Sequence, residues 1–194
     1  MNRIATKKRV TRETSVEVSL TVDGSGKSTV SSGLPFLDHM LSALCLYARF
    51  DLTLSATGDL QVDDHHTVED CALVLGATLS ESLGDRQGIQ RFATAFAPLD
   101  EALARVVIDI SNRPSAVVDM GLRREFLGTV STENIPHFFR SFAMAGGLTL
   151  HLDVLRGEND HHRAEAAFKA CGLALRAAVA RDGSNEIPST KGVL

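Results

Sequence analysis

The chain has 194 residues, 44% of them apolar, enough for one ordinary domain or two small half-domains around a core. A formal net charge of −4, spread as mixed acidic and basic residues, leaves no single-sign field that would argue for a nucleic-acid partner or an anionic membrane surface. No apolar run reaches the roughly eighteen residues of a membrane span, "MNRIATKKRV" leads into no signal-like apolar core, and Cys45, Cys71 and Cys171 lie in apolar stretches. The reading is a cytoplasmic protein with reduced thiols.

In chain order, "RETSVEVSLTVDGSGKSTVSSG" alternates through Val16, Val18, Leu20 and Val22, turns at Asp23 and Gly24, and resumes a β-branched run, which predicts a hairpin. Pro35 opens a helix whose Phe36, Met40, Leu44 and Tyr47 recur at helical spacing, and "DLTLSATG" follows as a strand. From Asp63 or Asp64 as N-cap, helical periodicity runs to Gly84. The second half repeats this order: strands "ARVVIDISN" and "SAVVDMG", the helix "TENIPHFFRSFAMAGG", the strand "LTLHLDVLRG" and the helix "HHRAEAAFKACGLALRAAVA". "DGSGKST" at 23–29 imitates the end of a phosphate-binding loop. Thr21 stands where such a loop needs its first glycine, and no helix follows, so Gly24 and Gly26 are read as turn residues.

The polar chemistry repeats with the scaffold. His39 and His137 are 98 residues apart, while His65 and His161, His66 and His162, and Glu69 and Glu165 are each 96 apart. This implies an α+β protein of two duplicated half-domains, about 1–93 and 94–184, each a mostly antiparallel sheet with two helices on one face. In each "DHHxxE" word the first histidine and the glutamate are i and i+4 and share a helix face, a spacing that can chelate one metal ion. The second histidine points about 100° away and addresses a different ion. Facing the two words across a pseudo-twofold gives one ion to His39, His66, His161 and Glu165, and another to His65, Glu69, His137 and His162. Such nitrogen and oxygen donor sets suit octahedral Mn²⁺ or tetrahedral Zn²⁺. His151, alone in a strand, is left out.

"FLDHML", "DDHHTVED", "GIQRF", "DEAL", "HFFRSFA", "GENDHHRAEAAFKA" and "PSTKGVL" resemble the imidazoleglycerol-phosphate dehydratases of histidine biosynthesis over essentially the whole chain. The resemblance implies four-stranded sheets with the helices packed between them, two Mn²⁺ ions per active site, and a homo-oligomer of twenty-four subunits with active sites at subunit contacts. It also implies a substrate role for Glu13, and phosphate or substrate contacts by Arg91, Arg113, Lys169 and, in the tail 185–194, Ser189 and Lys191. A phosphate dianion calls for several such donors. His39, His65, His66, Glu69 and His137 would also line the substrate.

The implied reaction removes water from imidazoleglycerol phosphate to give imidazoleacetol phosphate. The lost proton sits on an unactivated carbon, so an electron sink is required. A di-manganese-bound imidazolate that expels the adjacent hydroxyl, through a diazafulvene-like intermediate, would supply it, with Glu13 as the acid or base and a metal-bound water, Glu69 and Glu165 as competitors for that role. One departure stands out: Ala43 and Tyr47 occupy positions where the family often has Gln and His. The competing readings are a binuclear metallohydrolase and an assembly merely stapled by metal.

Overall fold

Alternation of apolar and polar residues makes the strands, and the same alternation decides which face turns inward. The structure, a computed structural model, describes residues 3–194. β1 (Ile4–Val10), β2 (Thr14–Thr21), β3 (Ser28–Ser31) and β4 (Asp51–Gly58) form one sheet in the order β1-β2-β4-β3. β2 turns Val16, Val18 and Leu20 inward, and these pair in register with Ala56, Leu54 and Leu52 of β4. In the second sheet β5 (Phe92–Leu99), β6 (Ala102–Asp109), β7 (Ser115–Asp119) and β10 (Thr149–Arg156) take the corresponding order β5-β6-β10-β7. Each sheet has two antiparallel pairings and one parallel one. An extra two-stranded hairpin, β8 (Phe126–Leu127) with β9 (Val130–Ser131), lies in the second half where β3 of the first runs on to a helix.

Four helices fill the space between the sheets: α1 (Pro35–Ala48), α2 (His65–Leu83), α3 (Asn134–Gly146) and α4 (Asp160–Ala178). They pair across the halves, α1 with α4 and α2 with α3, while α2 covers β1 and β2 and α4 covers β5 and β6. Both crossings depend on a glycine. A β-carbon on Gly76 would run into backbone atoms of Phe142 and Gly146, and one on Gly172 into those of Leu44 and Ala48. These two positions set how close the halves approach. Phe138, Phe139, Phe142 and Phe168 are buried together beside these crossings, with ring centroids 4.6–6.2 Å apart. Full burial of each is worth about 1.5–3 kcal/mol.

The expected hairpin over 12–33 is not formed. β4 lies between β2 and β3, and β3 pairs with β4 in parallel. The connection after β2 is drawn to the start of β4 by Asp51, whose Oδ1 accepts from the amides of Ser25 and Lys27 at 2.8 and 2.9 Å. That carboxylate also occupies the turn that mimics a phosphate loop. β2 instead forms its hairpin with β1, a strand absent from the sequence reading, through the short Arg12–Glu13 turn. Its counterpart in the second half is β5–β6, turning through Asp100 and Glu101. Because the second sheet starts at Phe92, a division at residue 93 would fall just inside β5.

Candidate active site

Pairing the helices across the halves brings their N-terminal turns together, and the histidines are carried there. His39 on α1 meets His161 and Glu165 on α4, with Glu165 Oε2 at 3.3 Å from His39 Nε2 and 3.2 Å from His161 Nε2. His137 on α3 meets His65 and Glu69 on α2, with Glu69 Oε1 at 3.2 Å from His137 Nε2 and the two imidazoles stacked at 4.8 Å. In each trio one donor atom per residue lies within 4.8 Å of the others, close enough to hold a metal ion. Every trio therefore draws on both halves of the chain.

The supporting contacts explain how the rings are held. His65 Nδ1 lies 2.9 Å from Oδ1 of the buried Asn134, which leaves Nε2 toward the trio. Asp63 and Asn159 each accept from the backbone amide of the first histidine of a word, His65 and His161, at 2.9 Å. Of the two candidate N-caps, Asp63 thus receives the helix amide, while Asp64 turns to the amide of Ser131. Burial raises the Glu165 carboxyl, but its 2.8 Å bond to Lys169 and its imidazole neighbours outweigh that and hold it below the ordinary carboxylate range. Lys169 Nζ also lies 5.7 Å from the centre of the Tyr47 ring.

His66 and His162 stand apart from both trios within one chain. His66 Nδ1 lies 3.1 Å from Asp59, and His162 Nδ1 lies 2.8 Å from Glu101. These bonds raise the pKa of both imidazoles. Glu101 is pushed down to about 2, first by the Asn159 amide and then by His162. Glu13 sits 3.9 Å from His66 Nε2, on the side away from Asp59. Within one chain, three residues of each expected four lie together. Asp59, Glu101 and Asn134 are contacts the sequence reading missed. The signal for Glu101 was its place in a turn matching that of Glu13.

The cationic group lies elsewhere. Arg91 is bonded to Asp109 at 2.7 Å and to the carbonyl of Pro188 at 2.8 Å, and Arg113 lies 3.7 Å from Asp109. Pro188 immediately precedes Ser189, so the tail carrying Ser189 and Lys191 is fastened here. The backbone amide of Arg91 donates to Ala178 at the last turn of α4. His161 is at the other end of that 19-residue helix, about 26 Å away at 1.5 Å per residue. His151 is exposed on β10.

Residues 32–175 match the model of the imidazoleglycerol-phosphate dehydratase family. The chain belongs to that family. An imidazoleglycerol-phosphate dehydratase of Phytophthora nicotianae is 59% identical over 186 residues, 96% of this chain and 41% of that longer protein. One from Eremothecium gossypii is 50% identical, over 96% of each chain. The crystal structure of imidazoleglycerol-phosphate dehydratase from Staphylococcus aureus subsp. aureus N315 has a TM-score of 0.83 at 38% identity, covering 92% of this chain and 99% of that one. The fold of two half-domains is therefore the family's, and the chain is an enzyme of the hydro-lyase class, within histidine biosynthesis. Among the described residues no helix is long and apolar enough to cross a membrane. The three cysteines are buried and free, and burial pushes each thiol up to about 12, so they are packing groups and not nucleophiles.

Proposed function

We propose that this chain dehydrates imidazoleglycerol phosphate to imidazoleacetol phosphate, using two Mn²⁺ ions per active site in a cytoplasmic assembly of twenty-four copies. The observation that carries the reading is the pair of trios, His39, His161, Glu165 and His65, Glu69, His137, in a chain of this family. Two imidazoles and a carboxylate are donors that suit a first-row divalent ion. A fourth ligand for each comes from a neighbouring copy, His66 for the first trio and His162 for the second.

Assembly also answers a distance problem. In one chain the Arg91, Arg113, Ser189 and Lys191 group is a helix length from the trio on α4, too far for one small substrate to span. Bringing that group to the trios of another copy gives the substrate phosphate its cationic and hydroxyl donors. Lys169, one turn beyond Glu165, adds a charge beside the ion site.

The bound ions supply Lewis acidity that lowers the N–H pKa of the substrate ring. Glu165 and Glu69 are committed as ligands, which leaves Glu13, exposed beside His66, free to move a proton. The proton given up by the ring N–H goes to the hydroxyl next to the ring, which leaves as water, and the ring reaches its diazafulvene-like form. The Glu13 carboxylate then takes the proton from the second carbon of the side chain and returns it to the ring nitrogen, and the resulting enol tautomerises to the ketone. Tyr47 beside Lys169 stands where an imidazole is common in the family, so that edge of the site offers a phenol in place of an imidazole.

The test is turnover by chelator-stripped protein with and without added Mn²⁺. Product that depends on Mn²⁺ is expected; absence of product from protein that has demonstrably rebound the ion would overturn the reading.

A further inference from the structure

The duplication places a glutamate at the end of each hairpin turn, Glu13 just before β2 and Glu101 just before β6. The two have different surroundings. Glu101 uses Oε1 to accept the amides of Glu158 and Asn159 at 3.0 and 2.9 Å, and presents Oε2 to His162 Nδ1 at 2.8 Å. Glu13 holds no histidine by Nδ1. In the first half that task falls to Asp59, from the loop between β4 and α2, and Glu13 stands opposite Nε2.

We propose that Glu101 is a positioning residue that fixes the Nδ1–H tautomer of His162, so that its Nε2 lone pair is presented outward as a metal ligand. Asp59 does the same for His66, and this substitution frees Glu13 for proton transfer. The inference rests on the metal reading above and says which group makes each donated histidine competent.

The argument is one of donors and acceptors. A carboxylate can only accept. With Oε1 committed to two backbone N–H groups, the His162 contact at Oε2 requires the imidazole proton to be on Nδ1. In the neutral ring Nε2 is then unprotonated, and its nearest carboxylate oxygen, Oδ2 of Asp100, is 3.9 Å away, beyond hydrogen-bond reach. A ring fixed in tautomer and orientation by a carboxylate is the usual outer support of a metal-binding histidine.

Glu101→Gln separates tautomer control from loop support. The two amides of Glu158 and Asn159 keep the side-chain oxygen on their side, so the new NH₂ faces His162 Nδ1. Nδ1 must then accept, the proton moves to Nε2, and the ligand lone pair is lost. Mn²⁺ binding by the full-length variant is expected to fall about tenfold to a hundredfold at one of the two ion sites, with the other unchanged. Thermal melting of the metal-free protein should be unchanged. Histidine ¹⁵N NMR of the metal-free proteins should show His162 protonated at Nδ1 in the unmodified chain and at Nε2 in the variant. Unmodified protein that binds no Mn²⁺ would defeat the metal reading itself. Unmodified protein that binds it while Glu101→Gln binds equally well would overturn this proposal alone. Should the variant fail to fold, the tautomer in the unmodified chain decides, and a proton on Nε2 there overturns the proposal.

Discussion

The two halves share their strand order, their glycine crossings and their histidine words, yet differ around each word. Lys169 beside Glu165 has Leu73 as its counterpart beside Glu69. Arg9 and Thr14, which both donate to Asp70 in the first half, correspond with it to Ala97, Ala102 and Ala166 in the second. What is shared carries the candidate ion ligands, and what differs surrounds them. The proposed substrate explains the pattern: an imidazole ring has two nitrogens and can address two equivalent ions. Its phosphorylated arm is single and asks for a charge such as Lys169, which is not repeated.

The sharpest way to break this comparison is at the turn glutamates. Glu13→Gln should lower turnover by about 10²- to 10⁴-fold, the range for losing a general acid or base, while Mn²⁺ content stays the same. Glu101→Gln should first move Mn²⁺ affinity. Steady-state kinetics and metal analysis on the two purified variants separate them. Equal loss of metal in both would mean the duplicated glutamates still share one job.

Much of the fold was legible because its helices are long and periodic. Pro35, Gly84 and the words "DHHTVED" and "DHHRAEA" mark helix ends by local chemistry alone. The edge strands were not. β1, "IATKKRV", buries little more than Ala5 and has no marked alternation, and β5 is built largely of alanine and exposed phenylalanine. The false hairpin arose because β3 and β4 pair in parallel through an intervening helix, a choice made by tertiary packing. At the site, repeated ligands could be read from register, but Asp59 lies in an irregular loop seven residues before His66 and Glu101 in a turn 61 residues before His162, and no periodic pattern marks either contact. The extra β8–β9 hairpin also shifts the spacing between halves, which hid the match between Glu13 and Glu101.

A second test concerns the buried polar triad. Asp70 is 5% exposed and is bonded to Arg9 and Thr14, whereas the second half fills the same space with three alanines. Arg9→Ala leaves a buried carboxylate short of its cation and should cost about 1–3 kcal/mol, read by urea unfolding. Asp70→Ala should cost less, since Arg9 is half-exposed and returns to water. Replacing all three by alanine should recover most of the loss, because removing every partner is far cheaper than stranding one. A triple variant as unstable as the sum of its single changes would show that the alanine solution works only on the second sheet.

The smallest effect lies in a pair of equivalent arginines. Arg3 donates to both oxygens of Asp23 and to the carbonyl of Val179, much as Arg91 donates to both oxygens of Asp109 and to Pro188. Each fastens the start of a sheet to the chain beyond α4. The bond to Arg3, working against partial burial, holds Asp23 below the ordinary value of 3.8. Its folded pKa is thus below its unfolded one, so the stabilisation is present above the unfolded value and disappears as pH falls through the folded one. Asp23 is half-exposed, which limits the gain to under about 1 kcal/mol. Asp23→Asn keeps Arg3 on Val179 and removes the titrating charge together with one of the two oxygens that Arg3 uses. Urea unfolding should show the variant less stable near neutrality and the gap closing in acid. A gap that stays constant with pH would assign the role of Arg3 to the Val179 carbonyl and to packing, and would set it apart from Arg91 after all.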